Sequence, residues 1–196
     1  MGRQSRDVML ALKNGRLIGS PPVPVWDAMA SLIKQSVSRL GPLASFLSPT
    51  AVLVPVPKSA LLQEGSLWVP DHLASSMTRV GLGRRASQLL IRTEAIPKAV
   101  TSISSKRPRA AKHYQTLAIQ RDLGQIPEIV LVDDVVTTGA SLLGSANRLL
   151  ESYPDVPIRG FAAMRTISNP SEFRTITDPV RGWITLRSDG LCSRRP

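Results

Sequence analysis

One stretch, residues 129–142, constrains the fold of this chain more than any other part of the sequence. It begins with an unbroken apolar run at residues 129–132, which is typical of a strand buried on both faces in a parallel sheet. Two adjacent carboxylates, Asp133 and Asp134, follow this run, and a Thr-Thr-Gly-Ala-Ser segment then leads into an apolar-periodic helix at residues 142–150. The stretch therefore predicts a buried strand, a loop and a helix of an α/β fold.

The loop between this strand and this helix suits an anion. Gly139 lets the backbone approach a ligand closely, and the hydroxyls of Thr137, Thr138 and Ser141 can donate hydrogen bonds. The first amides of the helix add donors backed by the helix dipole, and ligands of open α/β sheets bind just outside the strand ends. Because paired carboxylates suit vicinal hydroxyls, the pattern indicates a ribose 5-phosphate. A plain buried strand followed by an Asp-capped turn is the alternative interpretation.

The size and composition of the chain limit the other possibilities. Its 196 residues suit one α/β domain with small additions. Cys192 is the only cysteine and there are two histidines, so a disulfide framework and a cysteine zinc site are excluded, and a metal cage of side chains is not favoured. No apolar run approaches the roughly 20 residues of a membrane helix, and we expect a cytoplasmic protein.

The charge of the chain favours anionic partners. The formal net charge is +11 and the sequence pI is about 11.0, which suits nucleic acid or phosphorylated small molecules. Only 4% of the residues are aromatic, which argues against a stacking platform for single strands. A general basic surface and a nucleic-acid contact both remain open as explanations of the charge.

Further elements follow from apolar periodicity and from turn residues. Residues 84–92 fit either a helix or a strand, and the basic end at residues 194–196 is expected to fray. The other predicted elements are helices at residues 8–12, 25–40 and 70–80, strands at residues 51–56, 99–103, 158–164 and 182–186, and a turn at Asp189-Gly190.

The densest basic stretch lies at residues 104–115, between two predicted strands. It is rich in serine, proline and arginine and is too charged to pack in a core. We therefore predict a mobile loop there, with a solvated helix face as the alternative.

Taken in order, the apolar run, the two acids, two more apolar residues and Thr-Thr-Gly-Ala-Ser-Leu resemble the phosphoribosyl pyrophosphate (PRPP) binding motif of type I phosphoribosyltransferases. The resemblance implies an α/β fold whose mostly parallel central sheet has helices on both faces. It also implies an N-terminal basic segment and hood helix (residues 1–45) and a core (46–166). The remaining residues, 167–196, would form a C-terminal extension without a counterpart in the family. The PRPP-binding residues would be Asp133, Asp134, Val136, Thr137, Thr138, Gly139, Ala140 and Ser141.

The same resemblance assigns roles outside the motif. The loop after the first core strand would bind pyrophosphate, and a mobile loop would close over PRPP and neutralise the leaving group. Mg²⁺ would be carried by PRPP, with no side chain ligating it directly. A solvated lysine is the alternative role for Lys58. The pyrophosphate loop would be Val56, Pro57, Lys58 and Ser59, the flexible loop Lys106, Arg107, Arg109, Lys112 and Gln115, and the catalytic residues Asp133, Asp134, Lys58 and Arg107.

Within this family, the order of features from residue 10 to residue 165 looks like ComF-type proteins, which are associated with DNA uptake. The Val-Pro-Val-Pro end of the strand at residues 54–57 and the segment Phe-Ala-Ala-Met-Arg-Thr at residues 161–166 are part of this likeness. The chain departs from those proteins in lacking their cysteine zinc ribbon and the Arg-Gly-Phe-Asn-Gln element after the pyrophosphate loop.

The resemblance implies a phosphoribosyltransferase that uses PRPP and Mg²⁺, acts on an unidentified acceptor and releases pyrophosphate. Two other classes remain open. One is a sensor that binds PRPP or a nucleotide without turnover. The other is a nucleic-acid-associated protein, either ComF-like in competence or an effector of a reverse-transcriptase defence system. A homodimer or a larger complex is compatible with each class.

Overall fold

A four-stranded parallel sheet forms the centre of the computed structural model, which describes residues 3–39, 41–97, 108–167 and 178–195. The helices are α1 (Arg3–Lys13), α2 (Val25–Ser38), α3 (Val69–Arg79), α4 (Ala110–Gln115) and α5 (Ala140–Leu150). The strands are β1 (Leu17–Ile18), β2 (Val23–Pro24), β3 (Val52–Pro55), β4 (Arg85–Ala86), β5 (Leu90–Arg92), β6 (Leu117–Ile119), β7 (Ile129–Val136), β8 (Ile158–Arg165), β9 (Trp183–Leu186) and β10 (Cys192–Arg195).

The central sheet has the order β4-β3-β7-β8. Strand β3 pairs with β7 only as far as Val132, whereas β8 pairs with β7 up to Val136. The strand predicted at residues 129–132 is therefore four residues longer than expected, because β8 continues to supply a partner after β3 has ended. Asp133 and Asp134 consequently lie inside β7, just past the carboxyl end of β3.

Apolar side chains cover both faces of this sheet. On one face, Leu53 and Val130 pack against helices α2 and α3. On the other face, Val54 and Leu131 pack against α5 and against the antiparallel pair of β5 and β6. Full burial of one such side chain contributes about 1.5–3 kcal/mol. The predicted α/β fold, with a mostly parallel central sheet and helices on both faces, is confirmed.

The N-terminal residues belong partly to the core. Ala30 and Ile33 of α2 are buried in the cluster that covers the sheet, so the helix predicted within an N-terminal hood packs in the core layer. Helix α1 is longer than the predicted helix at residues 8–12, and its Leu12 is buried beside Val25. The same small cluster includes Met164 near the end of β8.

The C-terminal residues form an antiparallel hairpin of β9 and β10. The strand predicted at residues 182–186 and the turn at Asp189-Gly190 are both present, with Gly190 at a φ of 77°. The prediction of a frayed end was wrong for residues 194–195, since they belong to β10 and pair with β9.

Of two further predictions, one is decided by the structure and the other falls outside the described residues. The segment at residues 84–92, which fitted a helix or a strand, contains the short strands β4 and β5. The edge strand predicted at residues 99–103 lies outside the described residues. In the part of the chain that the structure describes, no helix is long and apolar enough to cross a membrane.

Candidate functional site

The two adjacent carboxylates lie at the carboxyl edge of the sheet and begin a chain of hydrogen bonds. Asp133 is buried, and its Oδ2 accepts a hydrogen bond of 3.0 Å from the Ser141 hydroxyl. Its Oδ1 accepts one of 2.9 Å from the backbone N–H of Asp134, whose own carboxylate accepts from the N–H of Val135 at 2.8 Å. The acid pair is thereby tied to the start of α5.

Burial and the neighbouring charge of Asp134 make the Asp133 carboxyl hard to ionise. Burial raises the pKa of Asp133 to about 8, and the neighbouring charge of Asp134 adds to the effect. The hydrogen bond from Ser141 opposes this shift but does not cancel it. Without a ligand, this carboxyl is therefore largely protonated at neutral pH, and a nearby cation would favour its ionised form.

The loop after β7 turns at a glycine that directly precedes helix α5. Gly139 is the residue before α5 and has a φ of 87°, in the left-handed region that favours glycine. Its carbonyl accepts a hydrogen bond of 2.9 Å from the N–H of Leu143, so it belongs to the first helical turn. Thr137 and Thr138 are half-buried beside it. Residues 137–141 therefore lead directly into a helix N-terminus, where backbone N–H groups can bind a phosphate.

A second loop, residues 56–59, lies beside the acid pair. The N–H of Val56 donates a hydrogen bond of 2.8 Å to the carbonyl of Val132, the residue before Asp133. The indole N–H of Trp68 donates to the carbonyl of Val56 at 2.9 Å. The loop after β3 and the loop after β7 thus leave the sheet side by side. Their roles as pyrophosphate loop and phosphate loop stay predictions.

Lys58 is held by a neighbouring hydroxyl. Its ammonium donates a hydrogen bond of 2.8 Å to Ser66, which in turn donates to the carbonyl of Gln63. The side chain is half-buried, so it is not a freely solvated lysine. Among the described residues, it is not paired with a carboxylate.

The sequence did not indicate that Arg92, at the end of β5, supports this loop from behind. Arg92 is buried, and its guanidinium donates to the carbonyls of Pro57 and Lys58. It also donates to the Thr116 hydroxyl at 2.6 Å and lies 3.4 Å from Nδ1 of His113. The sequence carried no signal for it, since Leu90 and Ile91 are both apolar. The alternation that places residues 90 and 92 on the same, buried side is seen only in the folded strand.

The residues predicted for a flexible loop fall into two groups. Lys106 and Arg107 lie outside the described residues. Lys112 and Gln115 lie in helix α4, and Arg109 directly precedes it, so the prediction of a loop was wrong for residues 110–115. The ammonium of Lys112 pairs with Glu94 at 2.8 Å.

The helix replaces a loop here because α4 has a packing partner. Gly144 of α5 lets α4 approach closely, since a Cβ at this position would lie 2.6 Å from the carbonyl oxygen of Ala110. His113 of α4 is buried against the same glycine. Helix α4 is thereby fixed on α5, the helix that follows residues 137–139.

The C-terminal hairpin contacts the loop at residues 137–141. The side chain of Ile184 lies against Gly139. Arg194 donates from Nε to the carbonyl of Thr137 at 3.1 Å and from its terminal nitrogen to the carbonyl of Thr166 at 2.6 Å. Sequence reasoning assigned no contact to this extension, because such pairings join residues more than 25 positions apart.

Comparison with known proteins adds little beyond the fold. No protein-family model matches the sequence, and no curated protein matches it. Solved structures similar to the chain include hypoxanthine phosphoribosyltransferases from Staphylococcus aureus and Trypanosoma cruzi. The similarity concerns the fold alone.

The sequence identity and the TM-score are low for both of these structures. The Staphylococcus aureus protein is 13% identical with a TM-score of 0.39, and the match covers 72% of this chain and 65% of that one. The Trypanosoma cruzi protein is 14% identical with a TM-score of 0.35, and the match covers 72% and 66%. The chain therefore spans slightly less than two thirds of either protein.

Among the described residues, no group of three or more acidic, histidine or cysteine side chains could hold a metal ion. Asp133 and Asp134 offer carboxylate oxygens, which are ligands that Mg²⁺ accepts. Two carboxylates are too few for a cage made by the protein alone. The site therefore fits a cation that arrives with most of its ligands supplied by a bound phosphate compound and water.

Proposed function

We propose that this chain is a type I phosphoribosyltransferase, which binds PRPP with Mg²⁺ and transfers the phosphoribosyl group to an acceptor with release of pyrophosphate. The observation that carries the proposal is the meeting of two loops beside one acid pair. Ser141 of the phosphate loop bonds to Asp133, while Val56 of the other loop bonds to the residue before it. A ribose that bears a phosphate at one end and a pyrophosphate at the other matches this order.

The reaction asks mainly for positioning and charge. The acceptor forms a bond to the anomeric carbon, the bond from that carbon to pyrophosphate breaks, and the electron pair leaves with the pyrophosphate. Positive charge grows on the ribose ring in the transition state, and Asp133 and Asp134 would stabilise it. The loop at residues 56–59 would hold the departing anion. When bound, Mg²⁺ supplies charge that neutralises the pyrophosphate.

Asp133 would change its protonation state as the substrate binds. Its raised pKa leaves the carboxyl largely protonated in the free protein. Ribose hydroxyls that donate to it, and a cation close by, both favour the carboxylate. Binding would therefore release a proton, so the carboxylate forms where the reaction needs it.

The acceptor pocket would lie near the end of β8, where both ends of the chain meet. The cluster of α1 includes Met164, and Arg194 of the hairpin binds the carbonyl of Thr166. These contacts support a hood built from the N-terminal segment and the C-terminal extension. The identity of the acceptor is left to experiment.

One observation favours a second function, the binding of PRPP as a signal without turnover. The contact between Ile184 and Gly139 brings the extension onto the phosphate loop, where binding could be coupled to movement of the hairpin. The net charge of +11 supports a nucleic-acid partner in either case. The closer likeness to ComF-type proteins rests on sequence motifs, and we retain a competence or defence role only as part of this proposal.

The direct test is to incubate the protein with PRPP, Mg²⁺ and a cell extract, to measure pyrophosphate, and to identify the phosphoribosylated product. We expect pyrophosphate release that depends on an acceptor in the extract and that Asp134→Asn abolishes. Tight PRPP binding without release in any extract would favour the sensor. Absence of both binding and release would exclude the proposal.

A further inference from the structure

The guanidinium of Arg92 is a buried charge with no acidic partner. Its residue is only 5% exposed, and none of the carboxylates in the described ranges pairs with it. Burying an ion without a countercharge is costly, so such a group usually has a specific role. Arg92 therefore needs an explanation that the packing of β5 alone does not give.

The hydrogen bonds of Arg92 all go to uncharged groups. Its Nε and Nη2 donate to the carbonyls of Lys58 and Pro57 at 3.1 and 3.3 Å, and Nη1 donates to Thr116. Burial, with the charge of Arg92 next, lowers the pKa of His113 to about 4, so this neighbour is neutral at physiological pH. Burial also lowers the pKa of Arg92, to about 10, which still leaves it protonated. The cluster thus keeps one positive charge.

This charge fixes the backbone of residues 57–59. Among the described residues the cis peptide bond is at Ser20–Pro21, so the bonds from residue 57 to residue 59 are trans. In a trans peptide the N–H points opposite to the carbonyl. Since the carbonyls of Pro57 and Lys58 face Arg92, the N–H groups of Lys58 and Ser59 face away from it. Neither N–H has a hydrogen-bond partner in the described part of the chain.

The neighbouring carbonyls are held as well. Trp68 donates to the carbonyl of Val56 at 2.9 Å, and the N–H of Ile96 donates to that of Ser59 at 2.9 Å. With the two carbonyls that Arg92 binds, every carbonyl from residue 56 to residue 59 is occupied. Successive free N–H groups on one side of a turn form a concave site for an anion.

We propose that Arg92 is a positioning residue for pyrophosphate. It holds two carbonyls behind the loop, leaves the N–H groups of Lys58 and Ser59 in front to bind the anion, and has its own charge compensated when that anion arrives. This inference rests on the proposed function, because it assigns the loop at residues 56–59 to pyrophosphate. It adds a residue that does not touch the substrate but orders the groups that do.

The test separates the two loops by their ligands. Magnesium pyrophosphate and ribose 5-phosphate are each titrated into wild type, Arg92→Gln and Arg92→Lys by calorimetry. We expect Arg92→Gln to lower the affinity for magnesium pyrophosphate at least about tenfold, which is equivalent to about 1.4 kcal/mol. The affinity for ribose 5-phosphate should stay within about twofold of the wild-type value. Arg92→Lys keeps the charge but has no planar fork for two carbonyls, so it should recover part of the loss.

Arg159→Gln is the matched control. This arginine pairs with Glu128 at 3.0 Å near the opposite edge of the sheet, so its removal changes the net charge without touching either loop. We expect both ligands to bind this variant as they bind the wild type.

Other results would overturn the inference. Unchanged pyrophosphate binding by Arg92→Gln, or an equal loss for both ligands, would mean that Arg92 is only structural. Should the variants fail to fold, the backbone amide resonances of Lys58 and Ser59 in the wild type decide. Magnesium pyrophosphate must shift them, and unshifted signals refute the role. If the wild type binds neither ligand, the proposed function itself fails.

Discussion

Ile184 of the C-terminal hairpin packs directly on Gly139 of the loop at residues 137–141. A Cβ at residue 139 would lie 2.6 Å from Cδ1 of Ile184, a distance that real Cβ atoms essentially never show. Together with the bond from Arg194 to the carbonyl of Thr137, this contact fixes the C-terminal extension against residues 137–139. Glycine at 139 is thus required twice, for its φ of 87° and for the approach of the hairpin.

These two requirements can be separated by mutation. We expect Gly139→Ala to lower the free energy of unfolding by about 1–3 kcal/mol from the left-handed backbone, with a further steric part. Adding Ile184→Ala should recover the steric part and leave the strain. Urea unfolding of the wild type, both single variants and the double variant measures this coupling. Full additivity of the two substitutions would show that the hairpin does not pack on residue 139.

The acid pair should contribute strongly to ligand affinity. Removing one charge that accepts hydrogen bonds from a ribose diol typically costs about 1.5–3 kcal/mol. We therefore expect Asp134→Asn to weaken PRPP by roughly tenfold or more in calorimetry. Asp155→Asn, in the exposed turn before β8, is the control for loss of a charge. Unchanged PRPP affinity in Asp134→Asn would remove the acid pair from the site.

The raised pKa of Asp133 predicts a pH dependence of stability. In the folded chain this pKa is about 8, above its ordinary value of 3.8. Between pH 3.8 and pH 8, the folded state therefore keeps a proton on Asp133 that the unfolded state has released. The stability that the protonated Asp133 carboxyl contributes is complete below pH 3.8, and it is lost as the pH rises to about 8. Asp133→Asn cannot titrate. Its melting temperature relative to the wild type should therefore increase from pH 5 to pH 8.5, and a constant difference would contradict the raised pKa.

The basic surface has its own test. If the charge of +11 serves nucleic acid, each neutralised phosphate releases counterions, and affinity must fall steeply with salt. Several contacts would give about a thousandfold loss between roughly 50 and 200 mM salt. Mobility shifts with structured RNA and with DNA across this range measure it. No shift at low salt would leave the charge to phosphorylated small molecules.

The sequence was most informative where burial follows local pattern. The apolar runs at residues 51–56 and 129–132 predicted the central strands. The binding role predicted for the acids and hydroxyls after the second run stays a prediction. The extension of β7 to Val136 was not predictable, because two acids look like the end of a strand unless its pairing with β8 is known. That pairing joins residues about 29 positions apart in the chain.

The residues that sequence reasoning missed are polar side chains that are held by partners distant in the sequence. Arg92 looks like a surface residue until the carbonyls of Pro57 and Lys58 and the hydroxyl of Thr116 are placed around it. Arg194 likewise has its place set by the carbonyls of Thr137 and Thr166. Neither contact leaves a periodic trace in the sequence, since only the folded chain brings the groups together.

The most direct measurement is a competition titration by calorimetry, in which PRPP, ribose 5-phosphate and magnesium pyrophosphate are the ligands. If the loops at residues 56–59 and 137–141 form one PRPP site, each of the two fragments should displace PRPP. The two fragments should also bind together, each without weakening the other by more than about twofold. If PRPP does not bind, or if ribose 5-phosphate and magnesium pyrophosphate exclude each other, the two loops do not form the site described.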